Sequence, residues 1–332
     1  MSESNDPGGT RTYCTRFDSG YLARALVTWE SLREVDPGAR LEVVCFDDRC
    51  FEALTALAPA GVTYHPLAEL EAWDPELAAT REGRSWVEYL WTAIPVTPMF
   101  ALERSGAAEV IYIDADLMFF SSPQPILDEL GDSTVLLTPA RYPAAYPWLA
   151  HCGLYPTQFM PHSRDATSQA AYAWWRERCL EHCSERIEIE ANRYADQKYL
   201  ESWLDRYEGV HVLEHPGGGL APWNMEAHEI TAGGPDAPVL VDGLPLIFFH
   251  YTRFRRYRNG RTHIADPRFK VPRNARELIF EPYAERLGEA ADRVAGLGMD
   301  IDPYDPPPTF RDRANLAHSR IAGVINRARV RS

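Results

Sequence analysis

Hydrophobic residues along the chain follow two patterns that alternate. Short, unbroken apolar runs at 13–17, 41–46, 62–64 and 110–113 are typical of strands buried inside a sheet. Between these runs, apolar residues recur at helical spacing. The first of these helices would bury Leu22, Ala25, Leu26, Trp29 and Leu32. Strands that alternate with helices predict an α/β protein with a Rossmann-like, mostly parallel central sheet flanked by helices.

The second half of the chain carries fewer regular patterns. Asp165 is placed to cap a long helix, and Asp196 lies at the start of another. The apolar face of the helix after Asp196 would consist of Leu200, Trp203, Leu204 and Tyr207. The run 215–219 (HPGGG) predicts a flexible loop, and the stretches 239–241 and 246–249 predict a hairpin around Asp-Gly.

The stretch 110–120 (VIYIDADLMFF) places two acids between two apolar runs. Burying an unpaired carboxylate is costly, so Asp114 and Asp116 predict a strand end that opens on a ligand cleft. A divalent cation would offset their charge, and Mg²⁺ or Mn²⁺ held by carboxylates and substrate phosphates is a common arrangement. The alternative is that the two acids only cap a helix or lie in a solvated turn.

Composition narrows the class of protein. The 332 residues are 45% hydrophobic and 25% charged, which is ordinary for a globular protein. A net charge of -14 argues against nucleic acid as a partner, because phosphate binding relies on Lys and Arg. We find no apolar core of a signal peptide at the start and no apolar run long enough to span a membrane. Six scattered cysteines without CxxC spacing predict reduced thiols in the cytoplasm.

Five segments, in this order, resemble the nucleotide-sugar-dependent glycosyltransferases of the GT-A fold, especially glycosyltransferase family 8 and its bacterial relatives. The segments are CTRFDSGYL, IYIDADLMFF, YADQKYLESW, LAPWN and LIFFHYTRF. They span about residues 12–257. The resemblance implies a GT-A fold and a hexosyl- or N-acetylhexosaminyltransferase. Such an enzyme moves a sugar from a nucleoside diphosphate, here a UDP-sugar, to a small-molecule or glycan acceptor with retention of configuration.

The resemblance also implies roles for individual residues. Asp114, Asp116 and His250 would bind Mn²⁺ (or Mg²⁺), which stabilises the charge on the leaving diphosphate. Asp196 and Gln197 would lie at the reacting centre. Gln197 is a poor nucleophile, which favours front-face displacement over a covalent intermediate. Alternatively, Asp196 only caps its helix and His250 only hydrogen-bonds the backbone.

Further residues are expected to bind the donor. By the resemblance, the first strand and its loop would hold the nucleoside, and the segment after the Gly-rich run would face the sugar or the acceptor. The expected donor-binding set is Thr15, Phe17, Asp18, Tyr21, Asp114, Ala115, Asp116, Trp223, Asn224 and Arg256. Asp18 could instead cap a helix, and Trp223 could simply pack its loop on the core.

The sequence departs from the family pattern in three places. The relatives often carry an Arg near the position of Trp91, and here we expect no cation there. The usual Asn-x-Gly is replaced around 155–158 (YPTQ), inside a Pro-, Tyr- and Trp-rich segment, 141–161, predicted to line a cleft. The usual Lys after the His is replaced by Arg256, or by Arg255 if the loop shifts, and Arg can bind phosphate bidentately. The basic run 253–261 could also be a solvated loop.

We expect three regions: a disordered N-terminus (1–11), a GT-A catalytic domain (12–270) and a C-terminal helical extension (271–332). In the extension, apolar residues between 314 and 328 share one helical face and are flanked by arginines. This basic amphipathic tail predicts either peripheral membrane contact or docking on the catalytic domain or on a second subunit as a homodimer.

Two other functions remain as alternatives. A nucleotidyltransferase usually has a Gly-rich phosphate loop near the N-terminus, which CTRFDSGYL lacks. A non-catalytic sugar-nucleotide-binding or scaffold protein would not need the acids at 114, 116 and 196 or the His at 250. A glycosidase is disfavoured, because its two carboxyls must flank the scissile bond.

Overall fold

The computed structural model of the protein describes residues 10–235 and 237–307. Most of the predicted disordered N-terminus and the whole basic amphipathic tail lie outside these residues. No helix in the described part of the chain is long and apolar enough to cross a membrane.

The strands alternate with helices through the first half of the chain, as predicted. The strands are β1 (Thr12–Phe17), β2 (Arg40–Cys45), β3 (Val62–Pro66), β4 (Glu109–Ile113), β5 (Leu117–Phe119), β6 (Val135–Leu137), β7 (Phe159–Ser163), β8 (Val210–Val212), β9 (Ile230–Gly234), β10 (Ala237–Val241), β11 (Leu244–Pro245), β12 (Phe248–His250), β13 (Arg255–Arg256) and β14 (Thr262–His263).

The helices lie between and after these strands. They are α1 (Leu22–Val35), α2 (Asp48–Leu57), α3 (Leu67–Trp73), α4 (Pro75–Ala79), α5 (Trp86–Thr92), α6 (Val96–Ser105), α7 (Gln124–Leu130), α8 (Ala166–Glu181), α9 (Trp203–Arg206), α10 (Arg273–Ala275) and α11 (Glu281–Ala295). Short 3₁₀ turns occur at Ser19–Tyr21, Arg81–Gly83, Pro147–Cys152, Gln197–Ser202 and Met225–Ala227, and Arg276–Phe280 forms a π-helical turn that leads into α11.

The central sheet has the strand order β3-β2-β1-β4-β7. Its first four strands are parallel, and β7 runs antiparallel to β4 at the edge. Residues of β1, β2 and β4 are almost all buried, which explains their continuous apolar runs. The fold is therefore mixed α/β with a parallel-rich central sheet and flanking helices, as the sequence predicted.

The sequence did not predict β7. Pro161 lies inside this strand and pairs with Ile111. Proline cannot donate a ladder hydrogen bond, so it is tolerated at the edge of a sheet, where one side of the strand needs no partner. A Pro-containing segment therefore became a strand because of its place in the sheet, which local sequence does not reveal.

Three local predictions were also wrong in whole or in part. The run 215–219 is a packed segment, because a Cβ atom on Gly217 would overlap the carbonyl oxygen of Pro245, and one on Gly218 would lie 2.5 Å from Leu213. The segment after Asp196 begins as a 3₁₀ turn, and Leu204 is 45% exposed, so it does not share the buried face. The Asp-Gly turn exists, but only the short β11 pairs with β10, while β12 pairs with β5.

The C-terminal helix α11 packs on α1 and behind the strand that carries His250. Two exposed ion pairs join α11 to α1, Arg286–Glu34 at 2.8 Å and Arg293–Glu30 at 2.6 Å. Deeper in the interface, the ring of Tyr283 stacks on Tyr251, the residue after β12, with a centroid distance of 3.5 Å. The described part of the extension thus supports the strand next to the site.

Candidate active site

The Asp114–Asp116 turn lies between β4 and β5 and is held in place by helix α1. The hydroxyl oxygen of Thr28 accepts a hydrogen bond from the N–H of Leu117 at 3.1 Å. The same hydroxyl lies 3.0 Å from the carbonyl oxygen of Ala115, to which it can donate. Because Thr28 is buried in the middle of α1, the turn has little freedom to move. The two acids end the buried strand, as the sequence predicted.

His250 reaches this turn through strand pairing. Strand β12 runs antiparallel to β5, which places His250 opposite Leu117, and the N–H of Tyr251 donates to the carbonyl oxygen of Asp116 at 2.9 Å. The Nε2 atom of His250 lies 3.2 Å from Asp116 Oδ1 and 3.8 Å from Asp114 Oδ2. One ligand atom of each of the three side chains lies within 4.8 Å of the others, so the group could hold a metal ion.

The electrostatics of the three side chains fit a bound cation. Burial raises the pKa of Asp114, and the neighbouring Asp116 adds to this rise, although His250 opposes it. Burial also disfavours the charged form of His250, but the two carboxylates outweigh this and raise the pKa of the imidazole. A buried carboxylate, a half-buried one and an imidazole nitrogen around one space match the ligand chemistry of divalent ions such as Mn²⁺ and Mg²⁺.

Gln158 is a supporting residue that the sequence analysis missed. Its Oε1 atom lies 2.9 Å from His250 Nδ1, and the side chain is fully buried. When Nδ1 donates its N–H to this oxygen, Nε2 presents a lone pair to the two acids, which is the tautomer that a metal ligand needs. In the sequence, the one feature that pointed to Gln158 was its position in the segment 155–158, where the family's Asn-x-Gly is replaced.

Asp196 and Gln197 are adjacent at the start of the 3₁₀ turn Gln197–Ser202. Asp196 is 3% exposed, and burial raises its pKa to about 7. It holds the first position of a 3₁₀ turn, yet its side chain makes no capping hydrogen bond, and Oδ2 has no partner among the described residues. The alternative that Asp196 merely caps a helix therefore loses its support. The amide nitrogen of Gln197 donates to the carbonyl oxygen of Cys152.

These residues line a single cleft of about 1010 Å³. The cleft wall also contains most of the predicted donor-binding residues and several aromatic rings. The predicted residues that line it are Phe17, Asp18, Tyr21, Asp114, Ala115, Asp116, Asp196, Gln197, Trp223 and His250. Asp18 also caps the turn Ser19–Tyr21, which confirms the capping alternative, while donor binding by this residue stays a prediction. Trp223 packs the edge of its ring against His250 at 5.6 Å.

Thr15 and Asn224 do not line the cleft, contrary to expectation. Thr15 is a buried strand residue. Asn224 is fully buried, and its amide nitrogen donates to the carbonyl oxygens of Ala140 and Gly219, both at 3.0 Å. Asn224 therefore braces the loops beneath Trp223.

Arg256 is also turned away from the cleft. Its Nη1 donates to the carbonyl oxygen of Ala284 in α11 at 2.9 Å, and its guanidinium packs over Gly288. Its neighbour Arg255 lines the cleft instead, as does Arg253. In a strand, adjacent side chains point to opposite faces, so a shift of one residue decides which arginine reaches a ligand.

Arg16 is a second residue that the sequence analysis missed. We expected no cation on the wall formed by Trp91, but Arg16 of β1 also lines the cleft. Trp91 packs against a hydrophobic cluster that contains Cys14 and Tyr112. Cys14 and Arg16 are two residues apart in β1, so their side chains share one face of the sheet. The sequence could have indicated this residue, because Arg16 is the one charged residue in the strand-like run 13–17.

Comparison with known proteins places the chain in a family. YfnD of Bacillus subtilis (strain 168), an uncharacterized protein, is 33% identical over 292 residues, covering 85% of this chain and 90% of YfnD. YfnF of the same organism, also uncharacterized, is 31% identical over 255 residues, covering 74% of this chain and 82% of YfnF. The chain belongs to the YfnD and YfnF family. No family model matches the sequence.

Solved structures identify the fold of this YfnD and YfnF family member. The galactosyltransferase LgtC, in complex with donor and acceptor sugar analogues, superposes with a TM-score of 0.52 at 16% identity, covering 84% of this chain and 95% of LgtC. An active-site mutant of LgtC matches with the same coverage and identity and a TM-score of 0.50. At this identity the likeness establishes the fold alone, which is the GT-A glycosyltransferase fold.

Proposed function

We propose that this protein is a metal-dependent glycosyltransferase that moves a sugar from a nucleoside diphosphate to an acceptor. The observation that carries the proposal is the convergence of Asp114, Asp116 and His250 at the base of a cleft that also contains Asp196. A scaffold protein would not need these charged groups, because holding them together away from water is costly.

The metal site would consist of Asp114, Asp116 and His250, with Gln158 holding the imidazole in the required tautomer. A bound Mn²⁺ or Mg²⁺ would act as a Lewis acid on the leaving diphosphate. The protein's part is to fix the two carboxylates through the Thr28 contacts and to bring His250 to them through the pairing of β12 with β5. Arg255, on the cleft wall, would bind phosphate in place of Arg256.

Asp196 and Gln197 would position the sugar for transfer with retention of configuration. A carboxyl whose pKa is about 7 is partly neutral at neutral pH and can donate a hydrogen bond to a sugar hydroxyl. Gln197 is an amide and a poor nucleophile, and its nitrogen is engaged by Cys152. We therefore favour front-face displacement, in which a diphosphate oxygen accepts the proton of the acceptor hydroxyl.

Several finer assignments belong to the same proposal. We assign the chain to glycosyltransferase family 8, with a UDP-sugar donor, a hexosyl or N-acetylhexosaminyl group and a small-molecule or glycan acceptor. The complex of LgtC with donor and acceptor sugar analogues supports this choice of partners.

The domain organisation and the location belong to the proposal as well. Residues 12–270 would form the catalytic unit and residues 271–332 the extension. Six free thiols support a reducing compartment such as the cytoplasm. Peripheral membrane contact or a homodimer through the tail also stays a proposal.

The test is a thermal-shift screen of UDP-, GDP- and dTDP-sugars with Mn²⁺, followed by a transfer assay with the best donor. A donor that binds raises the melting temperature, and stability grows with the logarithm of its concentration over its dissociation constant. We expect a UDP-sugar to stabilise the protein only when Mn²⁺ is present, and NMR of the product to show the donor's anomeric configuration. The absence of stabilisation by every nucleotide sugar would contradict the proposal.

A further inference from the structure

Arg16 lies next to the metal-binding acids but outside the set that any family motif indicated. The parallel pairing of β1 with β4 aligns Cys14 with Tyr112. Arg16 and Asp114 each lie two residues beyond this pair, on the same face of the sheet by the alternation of side chains, and both line the cleft. The hydroxyl of Tyr112 donates to Asp114 Oδ1 at 3.0 Å on this face, which shows that side chains here reach the acid.

The cleft brings Arg16 together with two parts of the site. Arg16, Asp114 and Asp196 all line it. Burial raises the pKa of Asp196, and the positive charge of Arg16 opposes this rise. A ligand that spans these two carboxylates would pass within reach of the guanidinium.

The guanidinium of Arg16 has no hydrogen-bonded acid among the described residues. Its Nε atom is buried and unpartnered, and its charged group lies 5.9 Å from the ring centroid of Phe46. Two other arginines of the cleft are paired within the protein, Arg24 with Asp305 at 2.7 Å and Arg253 with Asp266 at 3.4 Å. Because unsatisfied buried donors are costly, an unpaired guanidinium in a ligand cleft indicates a ligand acceptor.

The charge balance of the site indicates what that acceptor is. A divalent ion would neutralise only the two carboxylates of Asp114 and Asp116, so the charge of a bound diphosphate still needs cationic partners, of which Arg255 would be one. Arginine matches phosphate oxygens with two parallel hydrogen bonds and remains charged at every relevant pH.

We propose that Arg16 binds the donor by donating hydrogen bonds to the β-phosphate of the nucleoside diphosphate, beside Asp114. This inference rests on the proposed function. Arg16 would supply, from a strand of the central sheet, a cation that the relatives often carry near the position of Trp91. The charge that develops on the β-phosphate when the glycosidic bond breaks would then be shared between the metal and Arg16.

The experiment compares wild type with Arg16→Ala, Arg16→Lys and a control, Arg40→Ala, which removes an exposed arginine at the opposite end of the adjacent strand. Titration calorimetry measures binding of Mn²⁺ alone, and of UDP, GDP and dTDP and their monophosphates with Mn²⁺ present. We expect Arg16→Ala to weaken the preferred diphosphate about 10- to 100-fold, the range for a charge-assisted hydrogen bond.

Three further readouts separate this role from a structural one. The matching monophosphate, which lacks the β-phosphate, should bind Arg16→Ala nearly as well as wild type. Mn²⁺ alone should bind Arg16→Ala as well as wild type or better, because a repelling cation is gone. Arg16→Lys should retain part of the diphosphate affinity, and Arg40→Ala all of it.

The outcomes that overturn the inference are distinct from failure of the proposed function. If wild type binds no nucleoside diphosphate, both proposals fall. If wild type binds one and Arg16→Ala binds it equally well, only the inference falls. Equal weakening of Mn²⁺, monophosphate and diphosphate would show that Arg16 has a structural role. If Arg16→Ala does not fold, the ratio of diphosphate to monophosphate affinity in Arg16→Lys decides.

Discussion

His250 is held by a different neighbour at each ring nitrogen. Nδ1 lies 2.9 Å from Gln158 Oε1, and Nε2 lies 3.2 Å from Asp116 Oδ1. A proton on Nε2 or a metal ion bound to it would each offset the negative charge of Asp114 and Asp116, so protons and metal ions compete for Nε2. The three side chains could therefore hold a cation, and each can be tested one at a time.

Asp116→Asn is expected to remove transfer while leaving the fold intact. The amide has the size of the carboxylate but not its charge, so a metal ligand is lost and repulsion within the buried pair is relieved. We expect kcat/KM to fall at least about 100-fold, since Lewis-acid stabilisation is worth several kcal/mol. The measurement is steady-state transfer with Mn²⁺, and an exposed-acid variant, Asp48→Asn, serves as the control. Full turnover of Asp116→Asn in the presence of a chelator would rule out the metal mechanism.

Asp196→Asn tests the raised pKa of Asp196. The folded-state pKa of about 7 exceeds the unfolded value of about 3.9, so this group's contribution to stability is complete below about pH 4 and is lost as the pH rises to 7. The neutral amide does not suffer this loss. We expect the stability advantage of Asp196→Asn over wild type to widen by about 3 kcal/mol between pH 5 and pH 8.

The measurement is urea unfolding at the two pH values in the presence of a chelator, so that no metal alters the site. The exposed Asp205→Asn variant is the control, and its difference from wild type should be the same at both pH values. A constant difference between Asp196→Asn and wild type would show that Asp196 is already ionised at pH 5.

At the scale of elements, the Gly-rich run next to β12 forms part of the site's framework. The carbonyl oxygen of Gly217 accepts hydrogen bonds from the N–H groups of Ile247 and Phe248, at 2.9 and 3.3 Å. A Cβ atom on Gly219 would lie 2.8 Å from Gln158 Nε2. The three glycines therefore allow the backbone to approach β12 and Gln158 closely, and this fixes the position of His250.

Gly217→Ala is expected to destabilise the protein, because the added methyl group overlaps the backbone oxygen of Pro245, which cannot rotate away. The expected loss is about 3 kcal/mol in the free energy of unfolding, at the upper end of the cost of overpacking. Gly38→Ala is the matched control, since its Cβ would meet nothing within 4 Å and its change should be at most about 0.5 kcal/mol. Equal stability of the two variants would restore the flexible-loop interpretation.

At the scale of the whole molecule, the described C-terminal region completes the core behind the candidate active site. Tyr283 of α11 is fully buried and stacks on Tyr251, the residue that follows His250. Arg24 of α1 pairs with Asp305 at 2.7 Å, which ties the end of the described chain to the cleft wall. Stability of the site and stability of the extension should therefore change together.

Tyr283→Ala is expected to cost about 3–5 kcal/mol in the free energy of unfolding, the range for removing a large buried aromatic ring. Tyr283→Phe keeps the ring stack and removes a buried hydroxyl that has no partner among the described residues, so it should be neutral or slightly stabilising. Urea unfolding of both variants provides the measurement. A large loss in Tyr283→Phe would show that the hydroxyl, rather than the ring, does the stabilising.

Local sequence was sufficient for the elements that depend on local patterns. The strands β1, β2, β3 and β4 and the break between α5 and α6 follow from apolar runs and from Pro95 and Pro98, which exclude a continuous helix. The position of Asp114 and Asp116 at a strand end also followed, because few other places tolerate two acids between apolar runs. The order of five segments was enough to predict the fold class.

Only the tertiary structure decided which side chains meet. His250 reaches Asp116 because β12 pairs with β5, and Arg255 rather than Arg256 faces the cleft because α11 binds the latter. Arg16 shares the cleft with Asp114 because β1 and β4 are neighbours in the central sheet. The physical reason is the same in each case: strand side chains alternate between faces, so pairing partners and register select the residues that reach a site, and neither is encoded within a short window of sequence.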